Sequence, residues 1–293
     1  MSARLSLRAG DLRVVLCPAI GGSIARFDVV VDGRPQPLLR GTDAPYDGVL
    51  QAACFPLVPF VNRIRGGSFD CDGRTVRLAP NLPGDPSPLH GQGWRAAWRV
   101  VASDETSAEL AFEHATGEWP WRYDARQRIA LDAHGLDIEL SCRNRSPEPM
   151  PCGLGLHPYA PCDGDTRLDT RVRSAWTVDD RVLPVAEVPA TGRYALDDRP
   201  VCGRSLDNGF DGWCGEATTT WPNRGLRMRM SSPDAGHFQL YSPPQGGLFV
   251  AEPVQHANAA LNLPQDAWAA AGVRLLAEGE IRTLRVRFAP QRF

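Results

Sequence analysis

Prolines and glycines divide this chain into pieces that are too short for most helices. The 293 residues include 26 prolines and 28 glycines, and the stretches between them alternate apolar and polar side chains, as half-buried strands do. The alternating segments are 12–16, 24–31, 75–78, 98–102, 127–131, 136–140, 226–230, 238–242, 248–251 and 283–288. Alanine-rich residues 266–278 suit either a short helix or an irregular loop. The pattern predicts an all-β fold in which residues 1–293 form one large antiparallel β-sandwich or barrel domain.

Two turns can be predicted from glycine positions. The segment Asp132-Ala133-His134-Gly135 lies between two alternating stretches and is typical of a hairpin. The segment Pro18-Ala19-Ile20-Gly21-Gly22 predicts a tight turn. It lacks the G-x-G-x-x-G spacing and no helical pattern follows it, so it does not indicate a nucleotide site.

Charge and composition exclude several classes of protein. The formal net charge is −2 and no basic block is present, which argues against nucleic acid as a partner. All 32 basic residues are arginines, which excludes chemistry that needs a Schiff-base or P-loop lysine. No apolar run is long enough to cross a membrane and no signal peptide is recognisable. These features predict a cytoplasmic protein without a membrane partner.

The cysteines predict neither a metal site nor disulfide bonds. There are eight, without any C-x-x-C pair. In a chain without an export signal, free buried thiols are the expected state. The sequence therefore predicts no metal ligands and no cofactor.

Two histidines lie beside glycines and aromatic residues. His157 follows Gly153-Leu154-Gly155-Leu156 and precedes Pro158, which favours extended backbone at the histidine. His90 lies in Pro88-Leu89-His90-Gly91-Gln92-Gly93-Trp94, where a histidine beside an indole suits sugar recognition. Either could instead be a hydrogen-bonded structural histidine. Of the others, we expect His114 and His134 at the surface, and we rank His237 and His256 lower as site residues.

Other polar residues stand out at the ends of apolar segments. Asn62 and Arg63 follow a proline-containing apolar run and offer donors for hydroxyl oxygens. Asp207 and Asp211 lie in a stretch that we interpret as a glycine-containing loop, which also carries Phe210 and Trp213. Glu252 ends an apolar strand, where burial of a carboxylate raises its pKa and makes it a usable base.

These pieces together resemble the aldose 1-epimerase (galactose mutarotase) family, in its smaller bacterial form. The matching pieces occur in the family's order and are Asn62-Arg63-Ile64, His90-Gly91-x-Gly93-Trp94, His157-Pro158-Tyr159, Asp207-x-x-Phe210 and Glu252-Pro253. The resemblance implies a large mutarotase-like β-sandwich with an open cleft, a monosaccharide substrate and no cofactor. It also implies Glu252 as the general base, His157 as the general acid, and Arg63, His90 and Asp207 as anchors of sugar hydroxyls, with Asn62 beside them. It leaves open whether Asp211 replaces Asp207.

The reaction that the family catalyses needs two proton transfers. One group removes the proton of the C1 hydroxyl and another gives a proton to the ring oxygen, after which the open-chain sugar closes on the other face. This assignment requires Glu252 to be ionised and His157 to be protonated. We therefore expect the pKa of Glu252 below about 7 and that of His157 near or above it.

Three alternatives remain open from the sequence. A hexose-6-phosphate 1-epimerase would need an arginine cluster for the phosphate, and Arg65 and Arg95 are near the motifs. A non-catalytic sugar-binding domain would not need both Glu252 and His157. A glycosidase would use Asp207 and Glu252 as paired carboxylates. The sequence does not decide between a monomer and a homodimer.

Overall fold

The computed structural model describes residues 4–42 and 48–293, which form strands, turns and short 3₁₀ helices. In chain order the strands are β1 (Leu5–Ala9), β2 (Leu12–Cys17), β3 (Ser23–Val31), β4 (Arg34–Leu39), β5 (Pro56–Leu57), β6 (Ser68–Cys71), β7 (Arg74–Arg77), β8 (Arg99–Ser103), β9 (Ser107–His114), β10 (Tyr123–Asp132), β11 (Gly135–Asn144), β12 (Met150–Cys152), β13 (Gly155–Leu156), β14 (Tyr159–Pro161), β15 (Arg167–Thr170), β16 (Ser174–Val178), β17 (Pro184–Pro189), β18 (Arg199–Pro200), β19 (Leu206–Asp211), β20 (Glu216–Trp221), β21 (Leu226–Ser231), β22 (His237–Ser242), β23 (Leu248–Val254), β24 (Arg274–Leu276) and β25 (Ile281–Arg292). The 3₁₀ helices are Val49–Gln51, Arg65–Gly67, Gly93–Arg95, Gly192–Tyr194, Pro222–Arg224, Ala260–Asn262 and Gln265–Ala267. Among the helices of the described residues, none has the length and apolar character required to span a bilayer.

Two large sheets carry the fold. The first has nine strands in the order β18-β15-β20-β21-β25-β11-β10-β9-β8. The second has the order β17-β16-β19-β22-β23-β13-β5, and β14 also pairs with β23. The strand pairs of both sheets are antiparallel. Strands β1–β4 form a four-stranded sheet, and β6–β7 and β12–β24 form two-stranded ribbons. The all-β antiparallel fold is therefore confirmed.

One apolar core joins the two large sheets. It includes Phe288 from the first sheet and Phe210 and Phe238 from the second, each at most 1% exposed. Because side chains alternate between the two faces of a strand, the next residues along β22 and β23 project from the opposite face. Gln239 and Glu252 therefore lie on the face that does not contribute to this core.

The alternating segments are strands, but the interpretation of one other stretch is wrong. The hairpin is confirmed, since Asp132 pairs with Gly135 at the end of β10 and β11. Residues 206–211 are strand β19 and not a loop, because β16 and β22 pair with them on both sides, and this pairing outweighs the turn preference of Asp-Asn-Gly. Residues 266–278 contain the end of one 3₁₀ helix, turns and β24, with no α-helix.

The expectation of free buried thiols is also partly wrong. Cys162 and Cys202 are joined by a disulfide with their Cα atoms 5.6 Å apart, and Cys214 is an exposed free thiol. The pair is 40 residues apart in the chain and is brought together only by the fold, so spacing could not reveal it. The other five cysteines are free and buried, as expected.

Candidate active site

One cavity of about 260 Å³ brings together all of the site residues predicted from the sequence. Its lining includes these six residues, Asn62, Arg63, His90, His157, Asp207 and Glu252. The chain positions them from five separate segments, so their convergence is a property of the fold. The cavity lies on the second sheet, on the face opposite the core.

The floor of the cavity comes from three neighbouring strands. Gln239 on β22 is directly opposite Glu252 on β23, and its Nε2 donates a hydrogen bond of 2.7 Å to Oδ1 of Asp207 on β19. Glu252 is only 2% exposed. Within the described residues, Oε1 of Gln239 and Oε2 of Glu252 are buried without a hydrogen-bond partner. Of these two residues Glu252 lines the cavity, so its Oε2 is available to a donor from a ligand.

His157 is placed next to Glu252 by the strand that precedes it. The main-chain N–H of His157 donates to the carbonyl of Phe55 at 3.0 Å, which continues the pairing of β13 with β5. Nε2 of His157 then lies 3.7 Å from Oε1 of Glu252. The two groups can therefore contact neighbouring atoms of one small ligand.

Two residues with left-handed backbone hold the second histidine. Asn62 and His90 have φ angles of 54° and 61°, and the N–H of His90 donates to the carbonyl of Asn62 at 3.0 Å. In return, the N–H of Asn62 donates to Nδ1 of His90 at 3.1 Å. Because Nδ1 accepts a hydrogen bond, the proton of the neutral ring is on Nε2, which can donate to a hydroxyl oxygen.

Arg63 is fixed by its own set of partners. Its Nε donates to Oδ2 of Asp85 at 2.8 Å, and the two side chains are 13% and 14% exposed. Its main-chain N–H donates to Oδ1 of Asn258 at 3.0 Å. The guanidinium thus already carries one carboxylate partner before any ligand binds.

The choice between Asp207 and Asp211 is decided by geometry. Asp211 accepts hydrogen bonds from Nε1 of Trp176 at 3.0 Å and from Nδ1 of His237 at 2.7 Å. It lines a separate depression beside Trp176 and Arg173. Asp207 is therefore the aspartate of this stretch that reaches the cavity.

The remaining histidines lie outside the cavity. Both ring nitrogens of His256 are bonded: Nε2 accepts from the N–H of Val61 at 3.0 Å, and Nδ1 donates to the carbonyl of Ala257 at 2.8 Å. His134 is exposed as expected, whereas His114 is half-buried with its ring stacked on Tyr123. Among the described residues, no three His, Cys, Asp or Glu side chains are arranged to hold a metal ion, and the expectation of a metal-free site stays a prediction.

Burial shifts the pKa values of the central pair toward their neutral forms. Burial, with a smaller contribution from the charge of Asp207, raises the pKa of Glu252 well above its usual range. Burial also lowers the pKa of His157 to about 3, and the charge of Arg40 adds to this effect. The direction for Glu252 is the one expected from burial, whereas the direction for His157 is opposite to the expected protonated imidazole. Burial thus favours a neutral carboxylic acid beside a neutral imidazole.

Burial also shifts the pKa values of two other groups of the cavity, Asp207 and His90. Burial raises the pKa of Asp207, although Arg63 and the hydrogen bond from Gln239 oppose it. Burial and the neighbouring His157 lower the pKa of His90 well below its usual value. His90 is therefore neutral, in agreement with the tautomer that its hydrogen bond to Asn62 requires.

Sequence reasoning missed several residues that complete the cavity. They are Phe55, Asp85, Tyr159, Gln239 and Tyr241, of which all but Asp85 and Gln239 line the cavity directly. Tyr159 is part of the motif that contains His157, so its position was a usable signal. Gln239 and Asp85 become visible only through strand register and through the ion pair with Arg63.

The site can bind a small polar ring and move protons at one edge of it. It offers an acid–base pair, a neutral imidazole donor, a paired guanidinium and a carboxylate. This combination suits a ligand with several hydroxyl groups. The aromatic rings of Trp94 and Tyr159 at its wall suit the apolar C–H faces of such a ligand.

A family model and a relative of known sequence both match most of this chain. The family model described as "Aldose 1-epimerase" matches residues 3–289. The uncharacterized protein YphB of Escherichia coli K12 is 34% identical over 217 residues, which are 70% of this chain and 74% of that protein.

Solved structures agree over nearly the whole length. The structure of the "Putative aldose 1-epimerase" of Escherichia coli K12 has a TM-score of 0.88, 29% identity and 99% coverage of both chains. The galactose 1-epimerase of Lactobacillus acidophilus NCFM has a TM-score of 0.77 at 15% identity, over 99% of this chain and 94% of that one. The second likeness concerns the fold alone.

Proposed function

Because the chain belongs to the aldose 1-epimerase family, we propose that it interconverts the α and β anomers of a free aldose by opening and closing the pyranose ring. The observation that carries this proposal is the pair formed by His157 Nε2 and Glu252 Oε1, 3.7 Å apart in a cavity of sugar size. The exocyclic O1 and the ring oxygen O5 are bonded to the same carbon. Two protein groups that lie side by side can therefore reach both oxygens at once.

Glu252 takes the proton of the C1 hydroxyl while His157 gives a proton to O5, and the bond between C1 and O5 breaks to leave an aldehyde. Rotation about the bond between C1 and C2 presents the other face of the aldehyde. The reverse transfers then close the ring, O5 losing its proton to His157 and O1 regaining one from Glu252. Each acid–base partner contributes on the order of 10²–10⁴-fold in rate.

The protonation of the cavity fits this cycle when Glu252 and His157 are counted together. An ionised glutamate with a protonated histidine, and a neutral acid with a neutral imidazole, hold the same single proton. Ring opening converts the first arrangement into the second, and ring closure restores the first. Burial favours the second arrangement, and hydroxyl donors to Oε2 of Glu252, together with Arg63, favour the first when a sugar is bound.

The other residues bind the sugar. We assign Nε2 of His90, the guanidinium of Arg63 and the carboxylate of Asp207 to hydroxyl groups, with Asn62 beside them. Asp207 is held by Gln239 and Arg63 by Asp85. Since their partners fix these side chains before binding, little ordering entropy is lost when a sugar enters.

The pH dependence of kcat/KM follows from the shared proton. The pair loses its active state when His157 takes up a second proton and again when Glu252 gives up the only one. Since the pKa of His157 is about 3 and that of Glu252 is well above its usual value, we expect an acid limb near pH 3 and an alkaline limb well above pH 4.5. Polarimetric rates over a pH series, corrected for buffer catalysis and accompanied by circular dichroism, measure both limbs. An acid limb at or above the ordinary glutamate value of about 4.3, or an alkaline limb close to that value, would contradict the assignment.

We propose a free sugar and not a sugar phosphate as the substrate. Among the described residues that line the cavity, Arg63 is the one cation, and Asp85 already pairs with it. Neither Arg65 nor Arg95 lines the cavity, and Arg65 donates to the carbonyl of Pro184. A phosphate dianion would therefore meet Asp207 and Glu252 without a further lining cation to offset their charge.

A substrate panel tests the function and separates its rivals. Freshly dissolved α-glucose and α-galactose should reach rotational equilibrium faster with the protein than without it, and the 6-phosphates should not be preferred. Sugar binding without acceleration would indicate a binding domain. Release of reducing sugar from aryl glycosides would indicate a glycosidase that uses Asp207 and Glu252.

A further inference from the structure

His157 stacks on a pair of aromatic rings. Its ring is parallel to that of Phe55, with centroids 4.5 Å apart and planes at 14°. Phe55 in turn stacks on Trp94 at 5.7 Å and 24°. The ring of Tyr159 is a neighbour of both, 4.7 Å from His157 at 42° and 6.2 Å from Phe55 at 51°, and the guanidinium of Arg40 covers Tyr159 at 4.0 Å.

The usual means of orienting a catalytic histidine is missing at this ring. Such imidazoles commonly bond through Nδ1 to a carbonyl or carboxylate, which fixes the ring plane. Within the described residues, the buried Nδ1 of His157 has no hydrogen-bond partner, and the one polar main-chain group that acts on the ring is that of His157 itself. By contrast, His90 is held through its Nδ1 by the N–H of Asn62. Some other contact must therefore hold the plane of His157.

Main-chain pairing places Phe55 in the position to do this. The N–H of His157 donates to the carbonyl of Phe55 at 3.0 Å, and the N–H of Tyr159 donates to the carbonyl of Ala53 at 2.8 Å. Phe55 and His157 are thus neighbours across two paired segments, where ring–ring contacts on one face are favourable. Trp94 fixes the far side of Phe55, because its Nε1 donates to the carbonyls of Leu89 and Gly91.

We infer that Phe55 is a positioning residue for proton transfer: its ring, in place of a hydrogen bond to Nδ1, sets the plane of His157 and aims Nε2 at the sugar. The inference rests on the proposed role of His157. Rotation of the imidazole about its own side-chain bonds would separate Nε2 from Oε1 of Glu252 and from O5. The ring of Phe55 is parallel to the imidazole and stacks on Trp94, so it opposes rotation of the imidazole out of this plane. An aromatic face attracts a positive charge, so Phe55 also stabilises the imidazolium when it forms.

The test compares Phe55→Leu with a matched control elsewhere in the core. Phe238→Leu removes an equally buried ring that stacks on Trp213 at 5.2 Å and 25°, on the core side of the second sheet. Phe55→Leu should lower kcat on the order of 10-fold to 100-fold with KM changed by less than about twofold, because misplacing a reacting group costs rate and not binding. Phe238→Leu should leave both constants near those of the wild type. Phe55→Tyr restores the ring and should recover most of kcat.

A spectroscopic measurement separates failure of this inference from failure of the proposed function. The ring protons of His157, identified by their loss in His157→Asn, should carry an upfield ring-current shift in the wild type. Phe55→Leu should remove that shift and Phe238→Leu should retain it. If the wild type does not accelerate mutarotation but the shift behaves this way, the function fails and the stacking stands. A wild-type kcat in Phe55→Leu, a change in KM alone, or an unchanged His157 spectrum would overturn the inference.

Discussion

Glu252→Gln should lower kcat by roughly 10²-fold or more while changing KM little. The substitution keeps the shape of the side chain and its hydrogen-bonding capacity, but it removes the group that exchanges a proton with O1. At 2% exposure the side chain is enclosed, so a glutamine of the same shape should occupy the same position. Initial rates of mutarotation over a range of sugar concentrations give both constants.

His90→Ala is the matched comparison for this prediction. His90 is proposed to hold a hydroxyl in both the ground state and the transition state, so its loss should raise KM more than it lowers kcat. Arg63→Ala is less informative, because a cation near the ring oxygen also stabilises charge that develops during opening. If Glu252→Gln kept near-normal turnover while His90→Ala abolished it at saturating sugar, the two roles would have to be exchanged.

The largest expected effect on stability is that of Gly91→Ala. Gly91 has a φ of +71°, and an added Cβ would lie 2.1 Å from the carbonyl oxygen of Val58 and 2.5 Å from Cδ of Pro59. The first of these neighbours is main chain and cannot rotate away. We expect a loss of at least about 3 kcal/mol in the free energy of unfolding, together with reduced activity because His90 is the adjacent residue.

Gly73→Ala provides the control for backbone strain alone. Gly73 has a φ of +77°, and nothing lies within 4 Å of the position that an added Cβ would take. It should therefore lose only the roughly 1–2 kcal/mol that the left-handed region costs alanine. Urea unfolding of both variants measures the difference, and equal losses would show that the contact with Val58 does not restrict this loop.

The fold could be predicted largely from local pattern. Alternation in segments such as 127–131 and 136–140 fixes which face of a strand is buried, and the hairpin between them follows from its turn residues. The strand at 206–211 was not predicted, because Asp-Asn-Gly is also typical of turns. Only the pairing with β16 and β22 makes this stretch a strand. The disulfide between Cys162 and Cys202 likewise depends on contacts between distant parts of the chain.

The residues of the candidate site could be predicted, but the neighbouring residues that hold them and their protonation could not all be predicted. Glu252 and His157 stand out through their position beside apolar segments, and both line the cavity. Gln239 and Phe55 were missed because strand register makes them neighbours of Glu252 and His157. The raised pKa of Glu252 was predicted, whereas the expectation for His157 was wrong because its pKa depends on the depth of burial, which the sequence does not contain. The single-domain organisation, the cytoplasmic location and the oligomeric state stay predictions.

The central claim is that a shared proton between Glu252 and His157 opens the pyranose ring at C1. Exchange NMR of a 1-¹³C-labelled aldose at equilibrium follows the transfer of label between the α and β signals, without any net change in concentration. The account predicts exchange cross-peaks with the wild type that fall to the buffer level with Glu252→Gln. Exchange at the buffer level with the folded wild type, or undiminished exchange with Glu252→Gln, would contradict it.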